Sequence, residues 1–240
     1  MAARPSTAGI ALRVVVPEVM DDPELDPVEH ERALRALARV NRLSGTAGRI
    51  WREILRAARD DAPIRVMEVA CGGGDVAVAL AARARSSGLR LSLTATDRSE
   101  RAVRSGRKRA ERAGVAPDFV VGEAPDGLPQ GPWDLVYASL FLHHLAEAEA
   151  QHFLTVLGRI ARRVVVDDLR RTSMGLALAT VAGHVLTRSP VVRVDGPRSV
   201  RAAFAPEEVE AMARRAGLRS VRVRRSWPQR WTLTADGSGP

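Results

Sequence analysis

The first segment of the sequence that could carry chemistry is a glycine-rich stretch, Ala70-Cys71-Gly72-Gly73-Gly74-Asp75, which directly follows an apolar run. Glycines permit a sharp turn and let the backbone approach a ligand closely, because no Cβ atom stands in the way. A helix that begins at the turn would present free backbone N–H groups to a carboxylate or phosphate. The stretch therefore predicts an anion-binding turn. A tight strand-to-helix turn without a ligand is the alternative.

The second candidate is Asp97, which closes the next apolar run, Leu91 to Thr96. A carboxylate at that place in a nucleotide-binding unit accepts hydrogen bonds from the two hydroxyls of a ribose. Asp97-Arg98-Ser99 is also typical of a helix start, which leaves a purely structural role open. The glycine turn and Asp97 together predict a nucleoside-containing cofactor, but they do not distinguish dinucleotides from other adenosine compounds.

A pair of histidines, His143-His144, follows a third apolar run that ends near Ser139. Histidine is the usual side chain for removing a proton at neutral pH. Asp168 closes the run after that, so it could orient one of the two imidazoles if both runs are neighbouring strands. The alternative is that the histidines only pack against the following helix or cap it.

These residues need a scaffold, and the sequence predicts a parallel sheet with crossover helices, because short apolar runs alternate with helical segments after Pro63. The predicted strands are Ile64–Ala70, Leu91–Thr96, Asp118–Val121, Trp133–Ser139 and Arg163–Asp167, and the helices between them are Val76–Arg85, Glu100–Ala113 and Glu147–Ile160. Two late runs, Ser220–Arg225 and Arg230–Thr234, predict an antiparallel hairpin at one sheet edge. The expected fold is a Rossmann-like α/β fold with a seven-stranded, mostly parallel sheet.

Three parts of the chain are expected. Residues 1–26 are Pro-rich and acidic near their end and predict a flexible N-terminal arm, residues 27–62 an N-terminal helical segment, and residues 63–240 the main domain. Within that domain an apolar helix at about 172–188 is expected to cover an acceptor site, or else to belong to the core. A loop at Ser189–Arg198 and a helix at Pro206–Ala216 are expected after it.

Composition restricts the function classes. The chain has 240 residues, of which 45% are hydrophobic and 27% charged, as in an ordinary soluble globular protein. The net charge is +9, and nearly all of the positively charged residues are arginines, since Lys108 is the only lysine. An Arg-rich solvated surface is therefore favoured, and a nucleic-acid partner is not expected. The single cysteine, Cys71, permits no disulfide and fits the cytoplasm. No secretory signal and no membrane span are predicted, and the oligomeric state stays open.

Taken together, these segments resemble the ordered motifs of class I S-adenosylmethionine-dependent methyltransferases over roughly Ile64 to Asp168. The resemblance rests on Val66 to Asp75, Thr96 to Ser99, Gly122-Glu123-Ala124 and Trp133 through Leu145. It implies S-adenosylmethionine as the cofactor. It assigns Glu68, Ala70, Gly72 and Gly74 to the methionine end, Asp97 and Arg98 to the ribose, and Glu123 and Ala124 to the adenine. Cys71 belongs to the same cofactor-binding turn, and Leu140 flanks the cofactor from the fourth strand. Ala70-Cys71 stands where many relatives have Gly-x, and Glu123 replaces the commoner Asp; both departures bear on affinity.

Within that class the chain is similar to methyltransferases that act on quinones, phenols and polyketides, through Asn41-Arg42, Asp168 to Arg171 and Asp195 to Arg201. This similarity implies methyl transfer to a hydroxyl of a small organic acceptor, with His144 or His143 as the base, Asp168 as its orienting partner and no metal. Asn41-Arg42 is expected to close the pocket.

Two other classes stay open at this point. An NAD-dependent oxidoreductase would use the same glycines, although Tyr137 and Lys108 do not form the Tyr-x-x-x-Lys pair. A noncatalytic binding protein on this fold would bind the cofactor without turnover. An RNA methyltransferase is favoured only by the net charge.

Overall fold

The computed structural model describes residues 10, 12–59 and 62–239 and contains one seven-stranded sheet in the order β3-β2-β1-β4-β5-β7-β6. The strands are β1 Ile64–Val69, β2 Leu91–Asp97, β3 Asp118–Val121, β4 Trp133–Ser139, β5 Ala161–Leu169, β6 Arg219–Ser226 and β7 Arg230–Asp236. Strands β1 to β5 pair in parallel, and β7 pairs antiparallel with both β5 and β6. The predicted fold class is confirmed.

Eight α-helices surround the sheet in the described part of the chain. They are α1 Pro27–Ser44, α2 Thr46–Ala57, α3 Asp75–Ser87, α4 Glu100–Ala113, α5 Glu147–Ile160, α6 Ser173–Val185, α7 Pro190–Ala202 and α8 Pro206–Arg215. Helix α1 begins where the Asp26 carboxylate accepts the backbone N–H of Val28 and Glu29, and it ends at Gly45, whose φ is +70°. A side-chain cap and a left-handed glycine are the usual start and stop signals of a helix.

The core has two layers, one on each side of the sheet. Helices α5 and α8 pack on one side, and α2, α3 and α4 supply the buried residues of the other. Successive strand residues point to opposite sides, so Val164 and Val166 of β5 join the first layer and Val165 joins the second. By the same alternation the adjacent acids Asp167 and Asp168 leave the sheet on opposite sides.

The loop predicted at Ser189–Arg198 is wrong, because this segment forms α7. Pro190 occupies the first helical turn, where its missing N–H costs nothing, and Pro197 lies inside the helix. The Asp195 carboxylate accepts the N–H groups of Val19 and Met20 at 2.9 and 3.0 Å. Hydrogen bonds from the N-terminal segment thus stabilise a helix that the Gly196-Pro197 pair by itself disfavours.

The N-terminal arm, residues 12–26, crosses the carboxyl ends of the strands and includes a short 3-10 helix, Val19–Asp21. The Val14 N–H donates to the Arg201 carbonyl at 3.1 Å, and Arg13 donates to the carbonyls of Ala202 and Leu145, both at 2.6 Å. Residues 1–9 and 11 of the predicted flexible arm lie outside the described residues. The described part is attached along its length.

In the part of the chain that the structure describes, no helix combines the length and apolar character needed to cross a membrane.

Candidate active site

The glycine turn connects β1 to α3 and is held from two sides. The Cys71 N–H donates to the Thr96 carbonyl at 2.8 Å, and Arg109 Nε donates to the Gly73 carbonyl at 2.9 Å. Gly74 has a φ of +66°, and a Cβ atom there would lie 2.5 Å from the Phe119 ring. The turn therefore needs glycine at this position for its backbone conformation and for the close approach of β3.

Asp97 ends β2 beside that turn. One carboxylate oxygen accepts the Gly72 N–H at 2.8 Å and the other accepts the Ser99 N–H at 2.9 Å. Asp97 thus holds the glycine turn and the start of α4 together, while each oxygen keeps a lone pair for a further donor. Burial raises the pKa of Asp97 above its usual range.

The segment predicted to flank the adenine ring lies next to Asp97, because the Gly122 N–H donates to the Asp97 carbonyl at 3.0 Å. The side chain of Glu123 is exposed and Ala124 is half-buried. Arg98, predicted at the ribose, has an exposed side chain that forms an ion pair with Asp21 of the arm at 3.2 Å. These residues share one edge of the crevice.

Glu68 is a buried carboxyl group in the middle of β1, opposite Tyr137 of β4. Burial raises its pKa well above the usual range, and nearby Asp75 raises it further. Its Oε2 atom has no hydrogen-bond partner among the described residues. A buried carboxyl oxygen without a donor is costly, so this atom is suited to an ammonium group of a ligand beside the glycine turn.

Among the non-glycine residues with left-handed backbones, Ala70 follows β1 and Leu140 follows β4, with φ of 55° and 54°. Such conformations concentrate at functional sites, where the surrounding structure enforces them. Cys71 follows Ala70 and is buried, and burial raises the pKa of its thiol well above the usual range. The thiol is therefore neutral and has no nucleophilic role.

His143 is held between two carboxylates. Its Nδ1 lies 2.7 Å from Asp168 Oδ1, its backbone N–H donates to Asp168 Oδ2 at 3.0 Å, and its Nε2 lies 3.4 Å from Glu18 Oε1. Burial alone would lower the pKa of His143, but Asp168 and Glu18 outweigh it and raise the pKa to about 10. His143 is therefore an imidazolium at neutral pH in this arrangement.

His144 is more exposed and has different partners. Its Nδ1 lies 3.1 Å from Asp21 Oδ2, and its Nε2 lies 3.8 Å from Glu18 Oε2. Asp168 thus orients His143, whereas the partner of His144 is Asp21. The two imidazole rings lie 4.4 Å apart between centroids.

Glu18 and Asp21 were not predicted as site residues, because nothing in the local sequence of the arm indicates where it docks.

A second missed group is the buried network on the other side of the sheet, in which Asp167 accepts from Arg49 at 2.8 Å and from Arg230 at 3.0 Å. Asn41, expected to close the pocket, accepts from Arg230 at 3.3 Å. Asn41 thus ties α1 to β7, while Arg42 is exposed.

Comparison with known proteins agrees with this fold. Residues 66–163 match the family described as methyltransferase domain. The chain superposes on a SAM-dependent methyltransferase from Aquifex aeolicus with a TM-score of 0.60 at 19% identity, over 88% of this chain and 98% of that one. No curated protein matches the sequence.

Two further solved structures are longer than this chain. A candidate O-methyltransferase from Nostoc punctiforme gives a TM-score of 0.64 at 19% identity, over 96% of this chain and 66% of that one. Human N-acetylserotonin methyltransferase, solved with SAM, gives 0.58 at 19% identity, over 88% of this chain and 57% of that one. The chain spans less than two thirds of either protein.

The fold is the α/β fold of the SAM-dependent methyltransferase structures to which the chain is similar. Residues 66–163, less than half of the chain, match the methyltransferase domain family, and some of the similar structures were solved with SAM or SAH bound. Both findings agree with the predicted class and cofactor. The oxidoreductase alternative is set aside.

Proposed function

We propose that this protein transfers the methyl group of S-adenosylmethionine to a hydroxyl group of a small phenolic, quinone or polyketide-like acceptor. The observation that carries the proposal is the placement of the two histidines and their carboxylates at the end of β4, next to the glycine turn at the end of β1. The Nostoc structure described as an O-methyltransferase, and structures of enzymes that methylate small molecules, support this acceptor class.

The cofactor would be held by the carboxyl ends of β1 and β2. Backbone N–H groups of the glycine turn suit its carboxylate, and the unpartnered Glu68 Oε2 suits its ammonium group. Asp97 keeps acceptor capacity for the ribose hydroxyls, and Glu123 and Ala124 stand at the adenine edge. When bound, S-adenosylmethionine supplies an electrophilic methyl group; the protein must align the acceptor and exclude water.

The base in this proposal is His144. A carboxylate can only accept hydrogen bonds, so Asp21 fixes the proton of a neutral ring on Nδ1 and leaves the lone pair on Nε2 for the acceptor hydroxyl. His143, already protonated between Asp168 and Glu18, supplies positive charge next to the oxyanion that forms. Asp168 is then a positioning residue for His143.

The test is turnover with a panel of phenols and hydroxyquinones, with methylated product detected by mass spectrometry. His144→Gln should lose about 10²- to 10⁴-fold in kcat and bind S-adenosylmethionine normally, because general-base assistance contributes on that scale. His152→Gln is the matched control, since His152 is an exposed histidine that pairs with Asp126, away from the two histidines of the site.

Cofactor binding without product from any acceptor would favour the noncatalytic alternative. A His144→Gln variant with wild-type kcat and an unchanged pH profile would remove His144 from the mechanism and leave alignment of the reactants as the source of catalysis.

A further inference from the structure

Glu18, His143 and His144 form a cluster whose possible metal-ligand atoms all lie within 4.8 Å of one another. The two oxygens of Glu18 face one ring each, at 3.4 Å from His143 Nε2 and 3.8 Å from His144 Nε2. Glu18 comes from the N-terminal arm and the histidines from the segment after β4. We call this group the Glu18 cluster.

The outer partners of both rings determine which atoms face inward. Asp168 and Asp21 accept from Nδ1 of His143 and His144, so the inward atom of a neutral ring is an Nε2 lone pair. A lone pair that faces a carboxylate repels it unless a proton or a cation lies between them. Metal-ligating histidines characteristically donate their other ring N–H to a carboxylate, as both rings do here.

Charge balance favours one divalent ion over two protons. Glu18, Asp21 and Asp168 carry three negative charges, and Arg98, which pairs with Asp21, supplies one positive charge. The remaining two are balanced either by protons on both rings or by one M²⁺ with neutral rings, which displaces the proton of His143. Two imidazolium rings with centroids 4.4 Å apart would repel each other. A single ion between the two Nε2 atoms and Glu18 removes that repulsion at the same net charge.

We propose that Glu18, His143 and His144 form a binding site for a divalent transition-metal ion, with Zn²⁺ as the best-suited ion. Tetrahedral Zn²⁺ with N and O ligands places neighbouring ligand atoms about 3.3 Å apart, close to the 3.4 Å of the His143 contact. The His144 contact must shorten by a few tenths of an ångström, and this half-exposed side chain can move. Three protein ligands leave a fourth position for water.

The ion would cross-link the arm to the end of β4. It would also occupy the Nε2 lone pair of His144, so it should inhibit methyl transfer. That consequence rests on the proposed function, whereas binding of the ion does not.

Metal binding itself is measured on the full untagged chain after removal of metals with EDTA. Titration with Co²⁺, followed by visible absorption, and with Zn²⁺, followed by calorimetry, should give one ion per chain. Glu18→Gln and His144→Gln should each weaken binding by at least about 10-fold, a scale that loss of even an outer partner reaches. His152→Gln should bind like the wild type.

Nitrogen NMR of the wild-type histidines gives a second measurement that needs no variant to fold. One equivalent of Zn²⁺ should move the Nε2 resonances of two histidines, and both should belong to His143 and His144. The proposal is overturned if no ion binds, if binding is equal in all variants, or if only other histidines respond. A thiolate-to-cobalt absorption band would also overturn it, because it would place the ion on Cys71.

Discussion

The pair of His143 and Asp168 makes the folding stability depend on pH above neutrality. The His143 side chain is only 3% exposed, and its pKa in the folded protein is about 10, against an ordinary value of 6.5. Because the folded-state pKa is raised, the stabilisation is fully present below pH 6.5 and is lost as the pH rises through about 10. The protein should therefore become less stable between pH 7 and pH 9.

The expected magnitude follows from this interval. At about 1.36 kcal/mol for each tenfold change in proton affinity, the protonated pair contributes at most about 5 kcal/mol to the free energy of unfolding. Linkage leaves about 4 kcal/mol of this at pH 7 and about 1 to 2 kcal/mol at pH 9. The wild type should thus lose about 2 to 3 kcal/mol across that range, a large share of the stability of an ordinary domain.

Urea unfolding at pH 7, 8 and 9, followed by tryptophan fluorescence in EDTA, measures this loss. Asp168→Asn should be about 3 to 5 kcal/mol less stable than the wild type at pH 7, since it leaves a buried group unpaired. It should lose less stability than the wild type between pH 7 and 9, because only Glu18 still raises the pKa of His143. Asp126→Asn, which breaks the exposed pair with His152, should behave like the wild type. If Asp168→Asn loses as much stability between pH 7 and 9 as the wild type, His143 is not the group that titrates.

Three more outcomes are expected. Asp97→Ala should weaken S-adenosylmethionine binding, measured by calorimetry, by about 1.5 to 3 kcal/mol while the protein still folds. Loss of folding with unchanged affinity in the folded fraction would show that Asp97 has only a structural role. Gly74→Ala should lower the melting temperature more than Gly217→Ala, because both glycines have positive φ but only at Gly74 would a Cβ atom meet the Phe119 ring. Equal effects would show that backbone strain alone, and not contact with the ring, causes the loss of stability. Glu68→Gln should weaken cofactor binding without destabilising the free protein, whereas a large loss of stability would show that the ionised carboxylate has a partner in the fold.

Much of the fold could be predicted because its signals are local. The bounds of α4, α5, β3 and β4 coincide with the predicted ones. Helix α4, for example, begins where the Ser99 side chain accepts the Ala102 N–H and ends at a left-handed Gly114, and both signals are visible in the sequence. Most of the residues proposed for the cofactor lie at or next to strand ends, so their place in the fold could be predicted in the same way, while their roles stay predictions.

The acceptor side was less predictable because it is built from distant segments. The pairing of Asp168 with a histidine follows from neighbouring strands, but Glu18 and Asp21 reach the histidines from more than 120 residues away in the chain. The docking of the arm also explains the missed helix, since Asp195 of α7 is bound by the backbone of the arm. No periodicity in a short acidic segment indicates such partners.

The alternation of Asp167 and Asp168 along β5 has a consequence for how this chain tolerates insertions and deletions. On one side of the sheet the Asp168 carboxylate binds His143, and on the other side the Asp167 carboxylate binds Arg49 and Arg230. A shift of a single residue in β5 would move one acid into the place of the other and bring an apolar neighbour, Val166 or Leu169, into the place that is left, so one of the two networks would lose its carboxylate. The register of β5, which begins at Ala161 directly after α5 ends at Ile160, is therefore fixed to the residue, whereas point substitutions on this strand can affect one side and spare the other.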